Sequence, residues 1–442
     1  MRRMIIGGTK SGCGKTTVTC AVLAALKKRG LNVTAFKCGP DYIDPMFHRK
    51  VIGVSSRNLD SFFCDRNTLL NLLGEYGCKS DISVIEGVMG FYDGTSGSAH
   101  SLSELTETPA VIVIDCKGMS DSVGAVMSGF LGYRPNRIAG FIFDRLPEKL
   151  IPLAERLCRE LDTEYFGCLP KCDVTIESRH LGLVTADEIA DIQTKLRRLG
   201  ELAEKYIDLD KLISCCDATL PEYRAVKLPA FTEKATVAVA RDSAFCFIYR
   251  ENIELLEKMG CTVRYFSPLT DSEVPEADGL ILSGGYPELY AGELSANKSM
   301  RESVKKCIYG GMPTIAECGG FMYLHDELTD KNGVSYPMAG VINGRAFPTD
   351  RLQRFGYITM TAKTDSLLCR NDGIIKAHEF HYWDSTACGD GFTAEKSDGR
   401  KWECCHVSGT LYAGFPHLYF YSDIAAAERF VKNCIRYGER NG

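Results

Sequence analysis

A short apolar run, residues 4–6, leads into the string GGTKSGCGKTT and then into VTCAVLAALKKRG. Read locally, this is a buried strand, a glycine-rich loop and a helix. The glycines let backbone N–H groups converge on phosphate, and the helix N-terminus favours an anion there. Lys15 is spaced to reach β- and γ-phosphate oxygens, and Thr16 to hold Mg2+. The spacing departs from GxxxxGK[ST], since Thr9 stands where the first glycine would be and Gly8 precedes it. In this deviant form Lys10 matches a second phosphate-contacting lysine. Lys10, Gly12, Gly14, Lys15, Thr16 and Thr17 are the candidate nucleotide-binding residues.

At 442 residues the chain exceeds one ordinary core, so two or three domains are expected. Apolar residues make up 45% and charged residues 25%, which reads as a folded globular protein. A net charge of -5 argues against a general nucleic-acid binder, whose phosphate contacts need a basic face. No apolar stretch reaches the ~20 residues that cross a bilayer, and MRRMIIGGTK does not read as a signal peptide. The 20 cysteines are scattered, mostly within apolar runs. Cys215–Cys216 and Cys404–Cys405 are adjacent pairs, poorly spaced for zinc. Reduced, buried thiols in a cytoplasmic protein are therefore expected.

Strand-like runs recur through the first 170 residues: MIIGG, NVTAFK, ISVIEG, AVIVID, IAGFIF and YFGCLP. Short, nearly all-apolar strands separated by helices predict a parallel sheet covered on both faces. Three-and-four apolar spacing over 185–212 predicts an amphipathic helix pair closing the domain. Residues 221–234 have two prolines, scattered charge and no period, and read as a linker. A second α/β series follows: TVAVARD, CTVRYFS, GLILSGG and PTIAECG. After Val341 come shorter strands, FGYITMTA and HEFHYW, then a closing helix from Ser422. The expected domains are 1–220 and 235–442, joined by 221–234.

Acidic residues cluster at predicted strand ends. Asp41 and Asp44 sit in GPDYIDP after the second strand, Glu86 ends an apolar strand, and Asp93 lies just beyond it. Carboxyl ends of strands line the crevice of an open α/β sheet, where a Mg2+ ligand belongs beside a phosphate loop. Thr16, Asp41 and Glu86 are the candidate metal ligands. Lys37, at the end of the second strand, is a candidate for binding an anionic substrate.

A second motif, PTIAECGGFMYL, sets Cys318 between a strand and a helix. The flanking glycines allow the sharp turn of a nucleophile elbow, although E-C-G-G is not GxSxG. A helix N-terminus there favours the thiolate. The N–H of Gly319, with one near Gly285 in LSGGYPELY, would form an oxyanion hole. A thiol nucleophile needs a base. Of the eight histidines, His417 in GFPHLYF is favoured, with His378, His381 and His406 as rivals. HEFHY lacks the H-E-x-x-H helical spacing, so substrate contact or packing is expected there rather than metal.

The chain resembles the cobyrinic acid a,c-diamide synthase family over essentially its whole length. The matching segments include GTKSGCGKTT, FKCGPDYIDPMFH, NLDSFF, VIEGVMGFYDG, SRHLGLV, ARDSAFCFIY, SGGYPELYAGELSAN, AECGGFMYL, RFGYITM and HEFHY, in that order. The resemblance implies an α/β protein in two parts. The N-terminal one is a P-loop ATPase domain with a dethiobiotin-synthetase-like parallel sheet; the C-terminal one is a class I glutamine amidotransferase domain. It implies amidation of the a- and c-carboxylates of cobyrinic acid, using ATP, Mg2+ and L-glutamine. The carboxylate would become an acyl phosphate, and ammonia released from glutamine would pass to it internally. Cys318 would be the glutaminase nucleophile and His417 its base. Most class I domains carry H-x-E, whereas this chain has HLY, with Tyr419 where the glutamate would be. The orienting group is therefore left open. Lys15, Thr16, Asp41, Glu86 and Asp93 match positions implied in ATP, Mg2+ and carboxylate handling, and Tyr42 and Ile43 positions implied in the choice of carboxylate. Hydrogenobyrinic acid and nickel-sirohydrochlorin are the alternative substrates. Small molecules, and neither nucleic acid nor membrane, are the expected partners. Lys10 is compatible with a loop shared across a homodimer or with action inside one chain.

Overall fold

The structure, a computed structural model, describes residues 1–94, 97–171 and 186–441. SRHLGLV, at 178–184, lies outside the described residues. The chain divides into two compact units, Met1–Val226 and Lys227–Gly442.

The first unit is built on seven strands: β1 (Arg3–Gly8), β2 (Val33–Cys38), β3 (Ser55–Leu59), β4 (Ile82–Glu86), β5 (Ala110–Asp115), β6 (Ile138–Asp144) and β7 (Glu164–Leu169). Their order is β3-β2-β4-β1-β5-β6-β7, and every neighbouring pair is parallel. All residues of β1, β2 and β4 are buried, as a sheet covered on both faces requires. The helix Lys15–Lys28 packs Val18, Val22 and Leu26 into one core with Leu196, Leu199 and Ala203 of the helix Ala186–Tyr206. A Cβ on Gly200 would lie 3.2 Å from the Ala24 methyl, so these helices approach closely where glycine meets alanine.

Strand β3 was not among the expected strands, because SSRNL has no apolar run. Its Ser56, Arg57 and Asn58 are nevertheless buried. Asn58 donates to the carbonyls of Gly39 and Asp41 at 2.9 and 2.7 Å, and Ser56 Oγ lies 3.2 Å from His48 Nδ1. The strand is polar because its side chains brace the loop after β2.

The second unit contains a six-stranded sheet in the order His406–Val407, Leu411–Gly414, Thr314–Glu317, Gly279–Leu282, Thr236–Ala240 and Thr262–Phe266. All its pairs are parallel except the first. Sheets of four and five strands complete the unit. In the five-stranded sheet His417–Leu418 pairs with Ile374–His381, which sets His378 opposite His417. The chain closes with the helix Ile424–Asn441. The described cysteines are free thiols, most of them buried. Among the described residues no helix is long and apolar enough to cross a membrane.

Candidate active sites

Because β1 ends at Gly8 and its parallel neighbour β4 ends at Glu86, the phosphate loop and Glu86 emerge at the same carboxyl end of the sheet. Gly12 and Gly14 have φ of 70° and 93°, the left-handed region in which glycine is unstrained. A Cβ on Gly14 would collide with the Asp144 carboxylate, and one on Gly8 with Cys13 Sγ. Gly14 caps the helix Lys15–Lys28, whose first turn has no acidic residue and whose N-terminus has no side-chain cap. Lys27 and Lys28 sit in its last turn. The positive end is thus left for an external anion. Lys15 is buried, and its ammonium donates back to the Lys10 carbonyl at 3.0 Å. Burial lowers its pKa from the ordinary lysine value. Lys10 is largely exposed, with Nζ 3.7 Å from Asp115. Arg145 bridges Asp115 at 2.6 Å and Asp144 at 3.3 Å. Burial pushes the Asp144 carboxyl up to about 6 against the opposing pull of Arg145. Thr17 is half-buried in the first turn.

Thr16 Oγ1 donates to Glu86 Oε1 at 2.7 Å. Glu86 is fully buried, with Oε1 3.2 Å from Lys37 Nζ and Oε2 3.2 Å from His48 Nε2. Burial alone would raise its pKa; Lys37, His48 and Thr16 reverse that and hold it below the usual carboxylate range. Lys37 also pairs closely with Asp44 and lies 3.9 Å from Asp41. Burial pulls the lysine down, but these carboxylates raise it well above its ordinary value. Asp44 is driven up by burial and by Asp41 and Glu86. Three carboxyl groups thus compete for one lysine, and Asp44 is the one pushed toward its neutral form.

Asp41 Oδ1 accepts from the N–H groups of Ile43 and Asp44 at 2.8 and 3.4 Å, opening the helix Ile43–Phe47 behind Tyr42. A π-helical turn, His48–Ile52, continues it, a rare geometry associated with functional sites. His48 was assigned no role from sequence; the turn delivers it to Glu86. Asp93 is exposed and accepts from the Gly90 N–H at 2.9 Å, closing a turn. That turn rests on the phosphate loop, since Phe91 N–H donates to the Gly8 carbonyl at 2.7 Å. The Thr16 hydroxyl and Glu86 carboxylate are hard oxygen donors in contact. They fit Mg2+, which keeps several waters and takes one or two protein oxygens beside phosphate. Among the described residues no three His, Cys, Asp or Glu side chains form a metal cage.

In the second unit Cys318 joins the strand Thr314–Glu317 to the helix Gly319–Tyr323 with φ 45° and ψ -100°. A positive φ on a non-glycine residue stores strain, as at a nucleophile elbow. A Cβ on Gly320 would strike the Leu282 carbonyl, and one on Gly319 would lie 2.9 Å from the Gly285 nitrogen. The backbones of Gly319 and Gly285 are therefore neighbours. A Cβ on Gly284 would collide with His417 Cε1, so this glycine makes room for the imidazole.

His417 is buried and interacts with Cys318. Its Nδ1 is 3.5 Å from Glu317 Oε2. Burial would lower its pKa, but Cys318 and Glu317 together raise it to about 10. Glu317 Oε1 accepts the Leu418 N–H at 3.0 Å. Tyr419, at the H-x-E position, packs its ring edge-on against Tyr249 with centroids 5.0 Å apart. The rival histidines are engaged elsewhere or neutral. His381 Nδ1 bonds the Trp383 carbonyl at 2.6 Å and stacks on Phe415, and His406 Nε2 bonds the Ala387 carbonyl at 2.8 Å. His378 is held down to about 3 by burial and by His417.

Comparison with known proteins agrees with this division of chemistry. Residues 4–184 match the CobQ/CobB/MinD/ParA nucleotide binding domain, and residues 236–424 the CobB/CobQ-like glutamine amidotransferase domain. A nucleotide-binding domain joined to a glutamine amidotransferase domain defines an ATP-dependent carbon–nitrogen ligase that takes its nitrogen from glutamine. A cobyrinate a,c-diamide synthase of Listeria monocytogenes is 39% identical over 96% of this chain and 97% of its own. That of Methanocaldococcus jannaschii is 36% identical over 99% of this chain and 100% of its own. The chain belongs to the cobyrinate a,c-diamide synthase family.

Proposed function

We propose that this chain converts the a- and c-carboxylates of cobyrinic acid to amides, at the expense of ATP and L-glutamine, in corrin biosynthesis. The observation that carries the reading is a thiol–imidazole pair, Cys318 and His417, on the same chain as a phosphate loop. One site releases nitrogen and the other activates its acceptor.

A carboxylate is a poor electrophile, because its charge repels nucleophiles. Phosphorylation by ATP makes an acyl phosphate with a good leaving group. The N–H groups of the Gly12–Gly14 loop cradle the phosphates, Lys15 neutralises charge on the moving phosphoryl group, and Lys10 approaches from the exposed side. Thr16 and Glu86, with Asp41 nearby, would hold Mg2+, which supplies charge neutralisation at the phosphates when bound. Lys37 and His48 keep Glu86 ionised.

At the other site the Cys318 thiolate attacks the side-chain amide carbon of glutamine. The N–H groups of Gly319 and Gly285 stabilise the oxyanion. His417 gives its proton to the departing nitrogen, which leaves as ammonia, and a γ-glutamyl thioester remains. Water then attacks the thioester with His417 accepting its proton, releasing glutamate and Cys318. Ammonia attacks the acyl phosphate and phosphate leaves. We assign the reaction to the cytoplasm; the exposed Lys10 suits a homodimer sharing the loop as well as action within one chain.

The deciding experiment is mass spectrometry of cobyrinic acid incubated with the protein, ATP, Mg2+ and glutamine. Two successive replacements of OH by NH2 are expected. Turnover only of hydrogenobyrinic acid or nickel-sirohydrochlorin would replace the substrate, and turnover of none would overturn the reading.

A further inference from the structure

The glutaminase site lacks the H-x-E glutamate, yet its histidine faces a carboxylate. We propose that Glu317, the residue immediately before the nucleophile, is the positioning residue that orients His417 and stabilises its imidazolium. This rests on the reading of Cys318 and His417 as nucleophile and base.

The geometry is specific. Glu317 Oε2 lies 3.5 Å from His417 Nδ1, while Oε1 accepts the Leu418 N–H at 3.0 Å. The carboxylate thus accepts the backbone N–H just after the ring with one oxygen and faces the ring at ion-pair distance with the other. It is itself buried at the end of the strand Thr314–Glu317, so its attraction is weakly screened by water. The same strand end carries the carboxylate and the nucleophile, and a single turn sends one to Nδ1 while the other meets the ring. The remaining titratable groups around the imidazole do not supply this. His378 lies across the sheet and His381 stacks on Phe415; burial keeps them at about 3 and about 4. Burial pushes the Glu379 carboxyl up to about 7. Tyr419 packs against Tyr249 and could offer no negative charge.

The chemical consequence is an imidazole held as the cation between Cys318 and Glu317. A proton on His417 is attracted by Cys318 on one side and Glu317 on the other, and is ready for the departing ammonia. When water attacks the thioester, the imidazole that accepts its proton is held in one tautomer by the carboxylate. The carboxylate orients the ring and moves no proton.

The test compares Glu317→Gln with Glu317→Asp in the full-length protein. For Glu317→Gln, kcat with glutamine should fall roughly 100-fold or more, as when an imidazole loses its orienting carboxylate. Glutamine KM should stay near the wild-type value, and ammonium-driven amidation should persist. The high-pH limb of the glutamine-dependent rate should move down by about one unit or more, because an imidazolium without its counter-anion loses its proton more easily. Glu317→Asp should recover part of the rate and part of the limb. A wild-type kcat and an unmoved limb in Glu317→Gln would overturn the proposal. Equal losses in both variants with the limb unmoved would mark a packing role and overturn it too. If Glu317→Gln fails to fold, the limb of Glu317→Asp decides by the same criterion. A failure of the nucleophile reading shows separately, as glutamine turnover by Cys318→Ala.

Discussion

Thr16 Oγ1 donates to Glu86 Oε1 at 2.7 Å, across 70 residues of sequence. The bond ties the first turn of the phosphate-loop helix to the end of β4. Lys37 and His48, held at the same carboxylate, join the end of β2 and the π-helical turn to this point. The candidate nucleotide site of the first unit is therefore one electrostatic assembly centred on Glu86.

Removing Glu86 or Lys15 should therefore disable acceptor activation whatever the nitrogen source. Glu86→Gln and Lys15→Ala are expected to lower amidation roughly 100- to 1,000-fold with glutamine and with ammonium salts alike. Ammonium-driven turnover at the wild-type rate in either variant would contradict the proposed ATP site.

Nitrogen release should be separable. Cys318→Ala and His417→Asn are expected to abolish glutamine-dependent amidation while ammonium salts still support it. Tyr419→Phe should lose little, since that ring packs on Tyr249. Normal use of glutamine by Cys318→Ala would remove it as nucleophile. If another histidine variant alone shows the glutamine-specific defect, the base has been misassigned.

Gly284→Ala tests the space beside the imidazole. Its new Cβ would collide with His417 Cε1, so the ring must move. Glutamine hydrolysis is expected to fall by roughly 100-fold, the effect of misplacing a reacting group by about an ångström. The ammonium-driven rate should be retained. Equal losses with both nitrogen sources would refute the local explanation.

The raised pKa of His417 makes stability depend on pH. Its folded value of about 10 exceeds the ordinary 6.5, so the folded state binds the proton more tightly. That stabilisation is fully present below pH 6.5 and is lost as pH rises through about 10. The stability advantage of wild type over His417→Asn should therefore grow as pH falls from 10 to 6.5 and then level off. Trp383 and Trp402, the only tryptophans in the chain, both lie in the second unit, so their fluorescence reports its unfolding. A difference that does not vary with pH would mean that His417 is not held as the cation.

The two loops were legible because their demands are local. Glycine at positive φ, a strand before the loop and a helix after it suffice to mark the phosphate loop, and an E-C-G-G turn after PTIA marks the elbow. Strand β3 was illegible because its buried residues are polar, and hydrophobic patterning reads polar residues as surface. His48 was hidden in the same way. Its contact with Glu86 depends on a π-helical turn and on a carboxylate at the end of β4, two strands further along the chain.

Consecutive residues alone marked the strand–loop–helix of the phosphate loop, the cysteine turn, and the parallel sheet that carries the first of them. Backbone conformation, helix dipole and strand patterning act over a few residues, so they are written in consecutive letters. Which distant side chains meet at each loop is visible only in the folded chain. Glu317 reaches the backbone N–H of a residue 101 positions later, and Gly284 clears a path for a ring that arrives from another strand. Such pairings are set by sheet order and close packing. A carboxylate beside a nucleophile reads in sequence as a flanking residue until the fold brings the imidazole to it.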